Sequence, residues 1–165
     1  MSGGALPSYI PGMQKQRVVL ALFVAAALPA TARAEGEACP TTGQGRAPEK
    51  VLQDHREALS AGDVERDVLC NYAPDAVVIS DRGVDAGRDA IRASLKGLVA
   101  VSRGVAPTVT SQVVRPVADG GHMVRVLFSL ETPCLDGVDT YLIHGGRIVA
   151  QTAHAFPGAR CAPRS

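Results

Sequence analysis

The chain has 165 residues, 17 basic against 16 acidic, a formal net charge of +1 and only 4% aromatic residues. That length fits one domain with a substantial core. A charge balance without a Lys/Arg cluster argues against a nucleic-acid surface, which rewards basic patches.

The first 34 residues read as a secretory signal. Lys15 and Arg17 form a basic start, Val18 to Ala30 is almost purely aliphatic, and Ala32-Arg33-Ala34 is an A-x-A cleavage site before Glu35. The apolar run is about 13 residues, short of the roughly 20 that span a bilayer. Met13 is a more usual start, so residues 1–12 read as a gene-start artefact. Lys15, Arg17 and Arg33 leave with the signal and no acid does. The 17 basic residues become 14 against 16 acids, and the mature net charge is about −2. The mature protein is expected in the periplasm or outside the cell, soluble and without a stable membrane span.

Residues 35–46 form a polar leader. A helix is expected over Pro48–Ser60, with Pro48 in the first turn and Val51, Leu52, His55, Ala58 and Leu59 at helical spacing. Ala61-Gly62-Asp63 ends it, and Asp63 caps a second helix from Val64 to about Tyr72. Pro74-Asp75 reads as a stop, Ala76–Ser80 as a strand and Asp81-Arg82-Gly83 as a turn. A third helix is expected over Asp89–Val99, with Ile91, Leu95 and Leu98 on one stripe. The period then switches to two. Thr108–Val117 and His122–Glu131 read as strands around Ala118 to Gly121. Val138–His144 and Arg147–Ala155 form a hairpin around Gly145-Gly146. Helices followed by a run of strands define an α+β domain over residues 47–156, with an irregular tail at 157–165.

Four cysteines, Cys39, Cys70, Cys134 and Cys161, follow the signal. An even count in an exported chain points to disulfides, and the absence of CxxC spacing argues against a redox or zinc site. Sequence spacing leaves all three pairings open. No HxH or HxxxH pair suggests a metal, no cofactor motif is present, and Ser80, Ser94 and Ser129 lack a GxSxG elbow.

Four segments carry a family resemblance: His55–Asp63 (HREALSAGD), Tyr72–Ser80 (YAPDAVVIS), Gly87–Ile91 (GRDAI) and Asp139–Gln151 (DTYLIHGGRIVAQ). Together they resemble the nuclear transport factor 2-like superfamily, in its SnoaL-like and ketosteroid-isomerase-like branch. The resemblance covers about residues 47–156. It implies a cone in which a strongly curved antiparallel sheet wraps about three N-terminal helices around an apolar pocket. Helices one and two are then antiparallel, which implies Cys39–Cys70, and the strand ends imply Cys134–Cys161.

The resemblance also implies site residues. Asp139 aligns with the oxyanion-hole acid of the isomerases, His55 with their helix-one tyrosine, and Ser80 with their proton-moving aspartate. Asp139 and His55 are the candidate catalytic pair, with the Asp139 pKa raised by desolvation. The plainer reading of His55 is a core-edge histidine bonded to a carboxylate such as Asp139. Serine cannot move a proton unaided, so steroid-isomerase chemistry is not expected. Tyr141 and Gln151 complete the polar set; a strict two-residue turn at Gly145-Gly146 puts Thr152 opposite Asp139, and a bulge restores Gln151. Val78, Val126, Phe128 and Leu130 are expected to line the cavity.

Three functions follow. The first is a pocket protein for a small hydrophobic molecule. The second is an isomerase, dehydratase or hydrolase using His55 and Asp139. The third is a structural or dimerisation module, whose outer sheet face, with Arg125, Leu127 and Ser129, permits a homodimer.

Overall fold

The computed structural model describes residues 39, 45–102, 105–131 and 134–158. The expected signal segment, most of the leader, Cys161 and the end of the tail lie outside them. Helix α1 spans Pro48–Ser60, α2 Val64–Asn71 and α3 Gly87–Ser102. The strands are β1 Tyr72–Ser80, β2 Gly83–Ala86, β3 Thr108–Pro116, β4 His122–Leu130, β5 Leu135–His144 and β6 Arg147–Pro157. They form one six-stranded sheet in the order β2-β1-β6-β5-β4-β3. Every neighbouring pair is antiparallel except β1 and β6, which run parallel. This is the expected α+β class, with helices on one face of a curved sheet.

Local chemistry sets the helix ends. Pro48 opens α1, where its missing N–H costs nothing. Gly62, at φ +72°, closes it: Asp63 N–H donates to Ala58 O at 2.9 Å and Gly62 N–H to Leu59 O at 3.0 Å. These paired bonds satisfy carbonyls that the helix end leaves free. The Asp63 carboxylate then accepts the Arg66 N–H at 3.1 Å and starts α2. Two guanidinium groups meet the far end of α2. Arg88 and Arg147 both donate to Leu69 O and Tyr72 O, at 2.6–3.2 Å. Cations suit a helix C-terminus, where carbonyl dipoles converge.

The strands depart from expectation in four places, one being β5, which begins at Leu135, three residues before the expected Val138. β1 begins at Tyr72, four residues early, because Pro74 does not stop it: Tyr72 pairs with Ile148 and Val77 with Ala150, so Ala73 to Ala76 loop out opposite Val149. A proline is tolerated where no ladder bond is required. Gly83, expected in a turn, opens the edge strand β2. β6 continues past Ala155 to Pro157. Further register shifts fall at Val109/Ser111 and at Leu142/Ile143. Such bulges bend the strands that carry them and curve the sheet around the helices.

Helices and sheet share one core, with Val51, Leu52, Tyr72, Ile91, Ile143 and Ile148 at 2% exposure or less. Leu98, expected on the buried stripe of α3, is 40% exposed, and Ser129, expected on the outer face, is buried. Cys39 and Cys70 are bonded, with Cα atoms 5.4 Å apart, as the antiparallel helices implied. Cys134 is also disulfide-bonded; its expected partner, Cys161, lies outside the described residues.

Two stability predictions follow from this architecture. Serine at both Cys39 and Cys70 is expected to lower unfolding stability by about 2–4 kcal/mol, measured by urea denaturation. Peptide mapping of the non-reduced protein checks the pairing itself. Gly137 on β5 pairs with Phe128 on β4, and the phenyl ring lies where a Gly137 Cβ would project. Gly137→Ala is expected to cost about 1–3 kcal/mol by the same measurement, because the ring must leave its place.

Candidate functional site

A cavity of about 420 Å³ opens between α1, α3 and the inner face of the sheet. Val78, Val126, Phe128 and Leu130 line it, as the sequence suggested, and α3 adds Leu95, Leu98 and Val99. Val101 and Val105, 67% and 41% exposed, also line it and mark its mouth. Polar side chains reach it too: His55 from α1, Ser80 from β1, Asp139 from β5 and Gln151 from β6.

His55 is 3% exposed. Its carboxylate partner is Asp67 on α2 rather than Asp139. Nδ1 lies 3.0 and 2.9 Å from the two Asp67 oxygens. Asp67 has no solvent exposure, and its Oδ1 also accepts the Asn71 Nδ2–H at 2.7 Å. A carboxylate only accepts, so Nδ1 carries a hydrogen and Nε2 is the ring atom left for the cavity. Tyr72 and Tyr141 stand edge-on to the imidazole, with ring centroids 5.7 and 5.8 Å away.

Asp139 and Tyr141 share the inward face of β5, and the Tyr141 hydroxyl donates to Asp139 Oδ2 at 2.9 Å. His55 and Asp139 are not hydrogen-bonded to each other among the described residues; Tyr141 meets both, its ring edge-on to His55 and its hydroxyl on Asp139. Gln151 also departs from expectation. The bulge at Leu142/Ile143 does turn it inward, but opposite Tyr141, and Ala153 faces Asp139. Gln151 Oε1 accepts the Tyr72 hydroxyl at 2.7 Å, which leaves its amide nitrogen as a donor toward the cavity. Ser80 Oγ accepts the Arg82 N–H at 3.3 Å near the mouth. Asp81 and His154, both more than half exposed, pair at 2.6 Å and also line the cavity.

Burial raises the Asp139 pKa from 3.8 to about 6, against the opposing pull of the Tyr141 hydroxyl and the His55 charge. Burial alone would lower the His55 pKa, but the charge and hydrogen bond of Asp67, helped by Asp139, carry it above the ordinary 6.5. Both tyrosine hydroxyls are held well above their usual pKa, by burial first. The floor thus offers one carboxyl that is protonated in mild acid, one oriented imidazole and one amide donor.

Asp67, Asn71 and Tyr72 escaped the sequence reading. The signal was present: Val64, Asp67, Val68 and Asn71 share one helical stripe, so two polar residues occupy an apolar face. Among the described residues no group of three or more His, Cys, Asp or Glu is placed to hold a metal ion.

No family model and no curated protein sequence matches this chain. Solved structures do. An NTF-2-like protein from Shewanella oneidensis MR-1 is 20% identical, with 64% of this chain and 94% of that one aligned at a TM-score of 0.53. A cystatin-like-fold protein from Caulobacter vibrioides is 16% identical, with 66% and 86% aligned at 0.56. The orange carotenoid protein of Anabaena (Nostoc) sp. PCC 7120, in a structure binding canthaxanthin, is 15% identical, with 70% and 38% aligned at 0.59. The chain therefore has a helix-lined, curved-sheet fold with an internal cavity. That fold is the NTF-2-like, or cystatin-like, fold.

The Asp139 shift has a consequence for stability. Its folded pKa of about 6 lies above 3.8, so folding takes up a proton between those values. Stability from this group falls as pH rises through that range. Asp139→Asn keeps an acceptor for the Tyr141 hydroxyl and removes the carboxylate. It is expected to be more stable than the parent at pH 7, by on the order of 2 kcal/mol, with the gap closing near pH 4. Urea denaturation at the two pH values checks this.

Proposed function

We propose that this chain is an exported pocket protein of the SnoaL-like kind that binds a small, largely apolar molecule carrying a carbonyl or hydroxyl group. The observation that carries this reading is the convergence of His55, Asp139 and Gln151 on one end of a mostly apolar cavity of about 420 Å³. Apolar walls with a few placed polar groups characterise small-molecule sites in this size range. The walls hold the body of the ligand, and the polar end fixes its one oxygen. The canthaxanthin-binding structure of the same fold supports an apolar ligand. Export is supported by the Cys39–Cys70 bridge, which suits an oxidising compartment.

A second reading is favoured by the imidazole geometry. With Nδ1 bonded to Asp67, a neutral His55 presents a basic Nε2 to the ligand. Asp139, when protonated, presents an acid. The His55 midpoint lies above that of Asp139, so the state with His55 neutral and Asp139 protonated is a minor one. In that state His55 would take a proton from a carbon beside a carbonyl while Asp139 donates one to the oxygen. This makes an isomerase or dehydratase the enzymatic alternative.

The test uses 2-naphthol, a neutral bicyclic phenol, in a fluorescence titration at pH 7, beside native mass spectrometry of the protein as purified. One saturable site is expected, and Asp139→Asn and His55→Ala are each expected to weaken it about tenfold, near 1.4 kcal/mol. Absence of saturable binding together with absence of any co-purifying small molecule would defeat the reading.

A further inference from the structure

The leader residue Arg46 reaches far into the protein. Its side chain is 4% exposed. It donates to Asp54 Oδ2 and to Asn71 Oδ1, each at 2.6 Å, and to Cys70 O at 3.2 Å. Its Nε is buried without a hydrogen-bond partner. An orphaned buried donor costs about 1–3 kcal/mol, which an apolar side chain in this seam would avoid. A guanidinium supplies something that an apolar side chain lacks.

Arginine only donates and a carboxylate only accepts. Asn71 stands between the two, so its amide has one workable orientation: Oδ1 toward Arg46 and Nδ2 toward Asp67. Asp67, held from that side, turns both oxygens to His55 Nδ1. We propose that Arg46 is a positioning residue for His55, acting through Asn71 to orient Asp67 and share its charge, and so to set the titration midpoint of His55 and direct Nε2 into the cavity. The Cys39–Cys70 bridge belongs to this device, because it ties the leader to the helix end whose carbonyl Arg46 contacts.

The relay rests on the proposed function only in taking His55 Nε2 to be the atom that meets the ligand. The other groups facing His55 are Tyr72 from β1, Asp139 and Tyr141 from β5, and Arg56 from its own helix. Among the described residues none of them is hydrogen-bonded to Arg46. Removing the Arg46 charge, or the Asn71 donor, leaves more of the Asp67 charge to His55. The His55 titration midpoint should therefore rise.

The experiment is a pH series of long-range ¹H–¹⁵N spectra of the His55 imidazole in the ligand-free, oxidised protein. The parent is expected to show the Nδ1–H tautomer and a single midpoint. Arg46→Gln and the milder Asn71→Ser, each shown to be folded by circular dichroism, are expected to raise that midpoint by about half a unit or more and to shift the imidazole ¹⁵N signals, while Asp67 keeps the hydrogen on Nδ1. Unchanged imidazole shifts and an unchanged midpoint in a folded variant overturn the proposal. Because no ligand is present, the outcome is separate from the 2-naphthol test. A failed titration with a moved midpoint removes the ligand reading and leaves the relay standing.

Discussion

A carboxylate with no access to water has to find its donors inside the protein, and much of this molecule is arranged around that requirement at Asp67. α1 brings the His55 imidazole, α2 brings the Asn71 amide, and the leader brings Arg46 to hold the amide in place. The helix that carries Asp67 is pinned at both ends, by the Asp63 cap and by Arg88 and Arg147 at its last carbonyls. α1 and α2 are therefore joined through buried polar bonds as well as apolar packing. Such bonds tolerate little displacement, because each lost partner leaves a desolvated group. The imidazole that faces the cavity inherits this rigidity.

The sheet contributes the opposite character. Its inner face offers apolar walls broken by Asp139, Tyr141 and Gln151, and two tyrosine hydroxyls occupy the lone pairs that would otherwise compete for a guest. Among the described residues one oxygen of Asp139 and the amide nitrogen of Gln151 have no hydrogen-bond partner. The site combines a fixed side on the helices with a side of two spare polar atoms on the sheet. That division suits recognition of a single oxygen on an otherwise greasy molecule.

How much of this was legible in the sequence varied with the physics involved. The bounds of α1 were readable because local rules fix them: a proline at the start and a left-handed glycine at the end. The switch to a two-residue period gave β3 to β6, and the apolar cavity wall followed from alternation along β4. The edge strand Gly83–Ala86 was not readable, since four residues with no buried position carry no periodic signal. The early start of β1 was hidden by Pro74, whose strand-breaking effect vanishes where the pairing bulges. The site was half legible. His55 and Asp139 were found by comparison with isomerase positions, which supplied no place for Asp67. Its role depends on a contact between two helices that neither helix announces alone.

The bulge at Leu142/Ile143 lets the last hairpin carry one residue more than its pairing needs. Ile148 and Gln151 both face inward although they are three positions apart, an odd interval that a regular strand forbids. Deleting the extra residue, Val149, would close the bulge and keep Ile148 opposite Ile143, Ala150 opposite Leu142 and Gln151 opposite Tyr141, so the same side chains would face the cavity. Keeping that residue in a straightened strand would instead turn Gln151 outward. Relatives of equal architecture can therefore differ by one residue here and share the same floor, and a gap at this point of an alignment does not by itself mark a change in chemistry.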